Sequence, residues 1–244
     1  MNEDLDNIQY SPIRNYPYAE WFREVQYNGK SLSTTERKDF ISVADETISN
    51  YAEGLPKVKR LLEDNNSKHG EFHETYSVLL SVMQFVLITL IDSIVITKYF
   101  ILADKDYDRR FMRGKMKVIL NEGFKKLYGF GGKKKKESEW NKLAGIMKYF
   151  PDGIKSQYRE LSSLLEDQSK SSSWWKDKRD VETHFDADEL YESRCEDIEE
   201  SKVMMDSLKL HNALFSVDVF LSNMHACVHN TLLDQYIHGE LKDE

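Results

Sequence analysis

The stretch that decides the fold runs from Tyr76 to Ala103 and reads YSVLLSVMQFVLITLIDSIVITKYFILA. Apolar side chains occupy every face of a helix drawn on it. Its length would also let it cross a membrane. However, Gln84, Asp92 and Lys98 lie within the span, and an aspartate at mid-bilayer costs a few kcal/mol. We therefore predict a helix from about residue 72 to 103, buried at the centre of a helical bundle.

One side of this central helix is more polar than the rest. We expect the polar members to be satisfied by neighbouring helices, and a functional role for Asp92 is the weaker alternative. The stripe comprises Ser77, Ser81, Gln84, Ile88 and Asp92.

The overall composition is typical of a soluble helical protein. Apolar residues make up 40% and charged residues 31% of the 244, with only four prolines and 11 glycines. The net charge of -8 argues against a protein that coats nucleic acid nonspecifically. Two distant cysteines suit a reducing compartment, and the acidic N-terminus lacks the apolar region of a signal peptide. We expect a cytoplasmic protein with no membrane association.

Helix signals continue on both sides of the central stretch. Ser33 and Glu36 form a capping-box pattern that opens a helix running to about Ala52. Gly54 and Pro56 are expected to break this helix, with a short helix following them.

A long C-terminal helix is predicted from about residue 198 to 238. It would span about 60 Å and could carry a dimer contact as well as part of the core. We therefore expect an irregular aromatic-rich arm over residues 1–33 and a single all-α helical-bundle domain over residues 34–244. The buried seam of the long helix is predicted from alternating steps of four and three residues, and comprises Val203, Ser207, Leu210, Leu214, Val217, Leu221, Met224, Val228 and Thr231.

A basic segment covers residues 105–136, where twelve basic residues face three acidic ones. Its local charge of +9 leaves -17 for the remainder of the chain. One interpretation is a solvated helix face followed by a mobile loop. The functional interpretation is that a polyanion such as RNA approaches here. The candidate RNA-binding residues are Arg109, Arg110, Arg113, Lys133, Lys134, Lys135 and Lys136.

The remaining candidate chemistry is limited. Glycine patterns for nucleotide-binding α/β folds are absent, as are the common zinc and hydrolase motifs. His211, Asp218 and His225 recur every seven residues on the last predicted helix, but the paired E-x-x-H motifs of di-iron bundles do not occur. We expect no metal site and no cofactor, and interpret this stripe as facing solvent or a partner.

One pattern does carry chemistry: Arg179-Asp180 followed by His184. A fixed cation beside a group that titrates near neutral pH suits work on a phosphodiester. On a helix these residues would lie little more than one turn apart. The alternatives are a surface ion pair for Arg179 and a helix-terminal position without function for His184.

These residues resemble the HEPN superfamily, whose active members carry R-x(4-6)-H with a polar residue directly after the arginine. The resemblance covers the motif and the helical layout. It implies a helical bundle that dimerises so that two motifs meet in one cleft. Many members are metal-independent endoribonucleases of toxin–antitoxin, abortive-infection and RNA-processing systems, whereas others bind only nucleotides or protein partners.

Under this resemblance, His184 is the expected general base or acid, Arg179 holds the scissile phosphate, and Asp180 orients one of them. The expected function is a homodimeric endoribonuclease that cleaves RNA by 2′-OH attack at the dimer interface. The alternative is a catalytically inactive helical bundle that binds nucleotides, an antitoxin or another protein.

Overall fold

A computed structural model describes residues 32–129, 137–172 and 200–237 of the chain. This part is all-α and contains no strand, as predicted. The helices are α1 (Thr34–Asn66), α2 (Glu71–Leu102), α3 (Asp106–Leu127), α4 (Glu139–Ile146), α5 (Asp152–Ser172) and α6 (Glu200–Ile237), with a short 3-10 turn at Met147–Tyr149 after α4. Residues 1–31, most of the predicted arm, lie outside the described residues.

Helix α1 begins at the predicted capping box but does not end where we expected. The Ser33 hydroxyl accepts from the Glu36 backbone amide, and the Glu36 carboxylate accepts from the Ser33 amide. The break predicted at Gly54 and Pro56 is wrong, because the helix continues through both residues to Asn66. Val58, beyond the proline, is buried in a cluster shared with α2. Packing along α2 thus offsets the one backbone hydrogen bond that a proline removes.

Helix α2 is the centre of the bundle, as predicted from its composition. It packs against α1, α3, α4 and α6. It is also long and apolar enough to cross a membrane, with a mean hydropathy of 2.3 over its most apolar window, a property that core helices of soluble proteins share. Of its polar stripe, Ser77 bonds Asn65 and Asn66 of α1, while Asp92 is exposed.

Helix α6 spans 38 residues, or about 57 Å. Every member of its predicted seam from Val203 to Val228 is buried, which confirms the prediction. At Gly123 of α3, a Cβ would lie 3.2 Å from the Leu210 side chain, so α3 and α6 approach closely at this point.

Helices α4 and α5 complete the core around one aromatic cluster. The Trp140 ring stacks on Tyr158 at a centroid distance of 4.7 Å and contacts Phe220 of α6 at 5.5 Å. The Trp140 indole nitrogen donates to Ser162 Oγ at 2.8 Å, so its one polar atom is satisfied. This cluster fixes the turn at residues 147–151 against the C-terminal half of α6.

Candidate functional site

The three predicted catalytic residues lie outside the described residues. The description stops at Ser172, the end of α5, and resumes at Glu200, the start of α6. Arg179, Asp180 and His184 fall between these two helices, so their roles stay a prediction from sequence.

The three predicted RNA-binding arginines lie on the first half of α3. The Arg109 guanidinium sits 5.6 Å from the centre of the Phe100 ring, and Arg110 Nε donates to Asp106 at 2.8 Å. Arg113 is buried, with 7% of its surface exposed. Arg109 and Arg110 are partly exposed whereas Arg113 is buried, and the RNA-binding role of these arginines stays a prediction from sequence. Lys133, Lys134, Lys135 and Lys136 lie outside the described residues.

Arg113 begins a buried polar ridge that sequence reasoning missed. Lys117 and Asn121 follow it at four-residue steps on α3, and both are almost fully buried. Both polar atoms of the Asn121 amide are buried without a hydrogen-bond partner. The spacing was visible in the sequence. One of the two interpretations of the basic segment is a solvated face, since lysine and arginine are rarely buried, and it is wrong for Arg113 and Lys117.

A second polar feature joins α2 to α6. His211 Nε2 lies 2.9 Å from Ser93 Oγ, Ser207 Oγ lies 3.0 Å from Thr97 Oγ1, and His225 Nε2 lies 2.9 Å from the Tyr76 hydroxyl. The expectation that this histidine stripe faces solvent or a partner is wrong for His211, which is fully buried. The polarity along α6 therefore serves helix packing, at least at these contacts.

Burial shifts the pKa values of titratable side chains along α6. It lowers the pKa of His211 to about 4, with the backbone hydrogen bond to Ser207 acting in the opposite direction. Burial also raises the pKa of Asp218 to about 6. His225 has a lowered pKa, first because it is partly buried and then because His229 lies nearby. At neutral pH the buried His211 is uncharged.

No group of three or more His, Cys, Asp or Glu side chains in residues 32–129, 137–172 and 200–237 is arranged to hold a metal ion. The described part of the chain therefore offers no metal centre of recognisable geometry.

A pocket of about 300 Å³ opens where three elements meet. It lies between the first turn of α2, the turn that precedes α5, and the C-terminal half of α6. Its described lining consists of Glu71, Phe72, Thr75, Tyr149, Phe150, Pro151, Cys227 and Val228. No sequence pattern indicates this pocket, because the lining residues come from three separate regions of the chain.

A second, smaller groove of about 230 Å³ lies between α2 and α3. Asp92, Glu122 and Lys126 line it together with apolar side chains that include Ile88 and Ile119. Asp92 keeps much of its surface exposed, but the neighbouring atoms of the groove desolvate its carboxyl partly and raise its pKa. Lys125 pairs with Glu122 at 3.1 Å.

Comparisons with known proteins found no relative of this chain. No protein-family model matches the chain, and neither the curated proteins nor the solved structures compared with it contain a similar one. The resemblance to HEPN proteins therefore rests on the motif and on the helical layout.

Proposed function

We propose that this protein is a HEPN-like, metal-independent endoribonuclease that acts as a homodimer in the cytoplasm. The observation that carries the proposal is the sequence Arg179-Asp180 with His184 four residues after the aspartate, in an all-α chain. His184 moves the proton of the attacking 2′-OH or of the leaving 5′-oxygen. Arg179 stabilises the charge that develops on the phosphate oxygens.

The fold class of the described residues, all-α, agrees with the proposal. The resemblance implies an all-α bundle, and the chain is built on a long central helix and a long C-terminal helix. In the sequence, the candidate motif falls between the end of α5 and the start of α6.

A partly exposed apolar surface on α2 and α3 supports the dimer. Ile88 and Tyr99 of α2 and Tyr107 and Phe111 of α3 are all exposed, Tyr107 to 69%. Helix α3 also carries acidic residues in its first turn and Lys125 and Lys126 in its last turn. Two antiparallel copies of α3 would place opposite charges together at both ends of such a contact.

The first test is cleavage of labelled RNA by the full-length protein in EDTA. We expect His184→Ala and Arg179→Ala each to lower the rate by about 10²–10⁴-fold, the usual contribution of a general acid or base. The matched controls are His69→Ala and Arg60→Ala, which alter exposed residues in the described part of the chain. Cleavage retained by His184→Ala, or abolished equally by the controls, contradicts the proposal.

A mixing experiment tests the composite site separately. Wild-type protein is co-refolded with the Arg179→Ala/His184→Ala double variant in varying ratios. If each site needs both protomers, activity falls with the square of the wild-type fraction. A linear fall would show that each protomer carries a complete site and would exclude the composite arrangement.

A second function is favoured by the contacts of α3. Arg113 is buried, Arg109 contacts the Phe100 ring and Arg110 pairs with Asp106, an arrangement that also suits a catalytically inactive bundle that binds a nucleotide or a protein such as an antitoxin. Calorimetry with purine nucleotides tests the nucleotide form of this alternative. It predicts binding that Arg179→Ala and His184→Ala leave unchanged, in a protein that cleaves no RNA. Cleavage that depends on the motif contradicts it.

A further inference from the structure

The pocket of about 300 Å³ has a mostly apolar lining. Phe150, Cys227 and Val228 are buried and form the floor, and the half-buried Phe72 and Pro151 form walls. The volume lies at the lower end of the range for small-molecule sites, with room for roughly ten to fifteen non-hydrogen atoms. The site therefore suits a small molecule with an apolar body.

The rim of the pocket is polar and is held in place by three side chains. The Tyr149 hydroxyl donates to the Glu71 carboxylate, and Lys148 Nζ lies 3.5 Å from the same carboxylate. Lys148 also sits 4.4 Å above the Tyr149 ring. These contacts join the first turn of α2 to the turn before α5 across the rim of the pocket.

The charged group that the lining offers to a ligand is the Glu71 carboxylate, which lies at the exposed rim and also pairs with Lys148. Glu71 is the one carboxylate among the described lining residues, and Lys148 is not part of that lining. The hydrogen bond from Tyr149, followed by the charge of Lys148, lowers the pKa of Glu71, which is therefore ionised at neutral pH. A carboxylate has about four acceptor positions, so Glu71 retains acceptor capacity for a donor on a ligand.

We propose that this pocket binds a small aromatic or aliphatic amine, with its apolar body between Phe72, Phe150 and Val228 and its ammonium group at Glu71. Thr75 supplies a further hydroxyl on the same side. The ammonium group donates to the carboxylate, and charge complementarity favours amines over carboxylic acids of the same shape. The inference is independent of the proposed ribonuclease, because it uses neither the motif nor RNA.

Cys227 provides a direct reporter of occupancy. Its side chain lines the pocket and is mostly buried. Burial raises the pKa of the thiol, which keeps it protonated at neutral pH and makes its alkylation slow enough to follow. The chain has two cysteines, so Cys195→Ser leaves Cys227 as the one thiol that can react.

The experiment compares three probes on full-length Cys195→Ser protein: phenethylamine, phenethyl alcohol and hydrocinnamate. Affinity is measured by calorimetry, and occupancy by the rate at which iodoacetamide alkylates Cys227. We expect phenethylamine to bind about tenfold or more tightly than hydrocinnamate, with the alcohol between them. At saturation the amine should slow the alkylation of Cys227 about fivefold or more.

Two substitutions locate the binding. Glu71→Gln should reduce the preference for the amine to about threefold or less while leaving phenethyl alcohol binding intact. Val228→Phe should fill the floor and abolish the binding of all three probes. Val118→Phe, which lies in the groove between α2 and α3, is the matched control and should change nothing. If Val228→Phe fails to fold, Thr75→Phe replaces it.

The proposal is overturned if phenethylamine does not protect Cys227, or if it binds equally well to the Val228→Phe and Val118→Phe proteins. Equal affinity for phenethylamine and hydrocinnamate overturns the assignment of Glu71. None of these results depends on RNA cleavage, so a failure here and a failure of the ribonuclease proposal are distinguishable.

Discussion

His211 of α6 lies with its Nε2 atom 2.9 Å from Ser93 Oγ of α2, and both side chains are buried. The contact joins α2 to α6 through two polar side chains. A buried hydrogen bond of this kind helps to fix the register between two helices, because sliding either helix by one turn would separate His211 Nε2 from its partner on α2.

We expect Ser93→Ala to lower the free energy of unfolding by about 1–3 kcal/mol, since the His211 ring would lose a buried partner. Urea denaturation provides the measurement. Ser222→Ala, at an exposed position on α6, should change stability by less than about 0.5 kcal/mol. In a Ser93→Ala/His211→Leu double variant, the loss in the free energy of unfolding should differ from the sum of the losses in the two single variants. Additive losses would show that the two residues do not interact.

Two titratable residues of α6, His211 and Asp218, should give the free energy of unfolding an unusual dependence on pH. The pKa of His211 falls from 6.5 to about 4 on folding, so its stabilising contribution is complete above pH 6.5 and is lost as the pH falls through 4. The pKa of Asp218 rises from 3.8 to about 6, so its contribution is complete below pH 3.8 and is lost as the pH rises through 6. Between pH 4 and 6 the two residues therefore act in opposite directions.

Asp218→Asn separates the two effects. It should stabilise the protein at pH 7 by roughly 1–3 kcal/mol, because it removes a desolvated charge. Relative to wild type, its stability should rise with pH by roughly 1 kcal/mol per unit between pH 4 and 6. Urea denaturation across this range tests both points. A variant curve parallel to wild type would exclude a raised pKa for Asp218.

Adding a side chain at Gly145 and at Gly123 should have opposite effects on the stability of the protein. Gly145 is exposed on α4 with nothing near its would-be Cβ, so Gly145→Ala should stabilise the protein by about 0.5–1 kcal/mol. Gly123→Val should destabilise it by about 1–3 kcal/mol, because the new side chain meets Leu210. Adding Leu210→Ala should recover part of that loss in thermal denaturation. Equal effects at the two glycines would contradict a close contact between α3 and α6.

Asn121 is expected to reduce stability in the wild-type protein. Its amide is fully buried, and neither polar atom has a hydrogen-bond partner. Asn121→Leu, which has a similar volume, should raise the free energy of unfolding by about 1–3 kcal/mol. Asn212→Leu at an exposed position of α6 is the control and should have little effect. A loss of stability in Asn121→Leu would show that the amide has a partner that the described contacts do not include.

Most helices of this protein could be predicted from the sequence because their signals are local. The capping box at Ser33, the apolar run of α2 and the seam of α6 all depend on residues within one or two turns of each other. The candidate motif could also be found in this way. Its geometry could not, and Arg179, Asp180 and His184 remain assigned by sequence alone.

The features that sequence could not provide all depend on which helices are neighbours. Pro56 lies inside α1 because α2 packs along both sides of the proline, and propensity alone favours a break. Lys117 and His211 are buried although their residue types favour the surface or a partner face. The pocket with Glu71 and Cys227 exists where three separate chain regions meet. Sequence periodicity determined the helices of this protein, whereas the tertiary structure decided its buried polar contacts and its pocket, because these require atoms far apart in the chain.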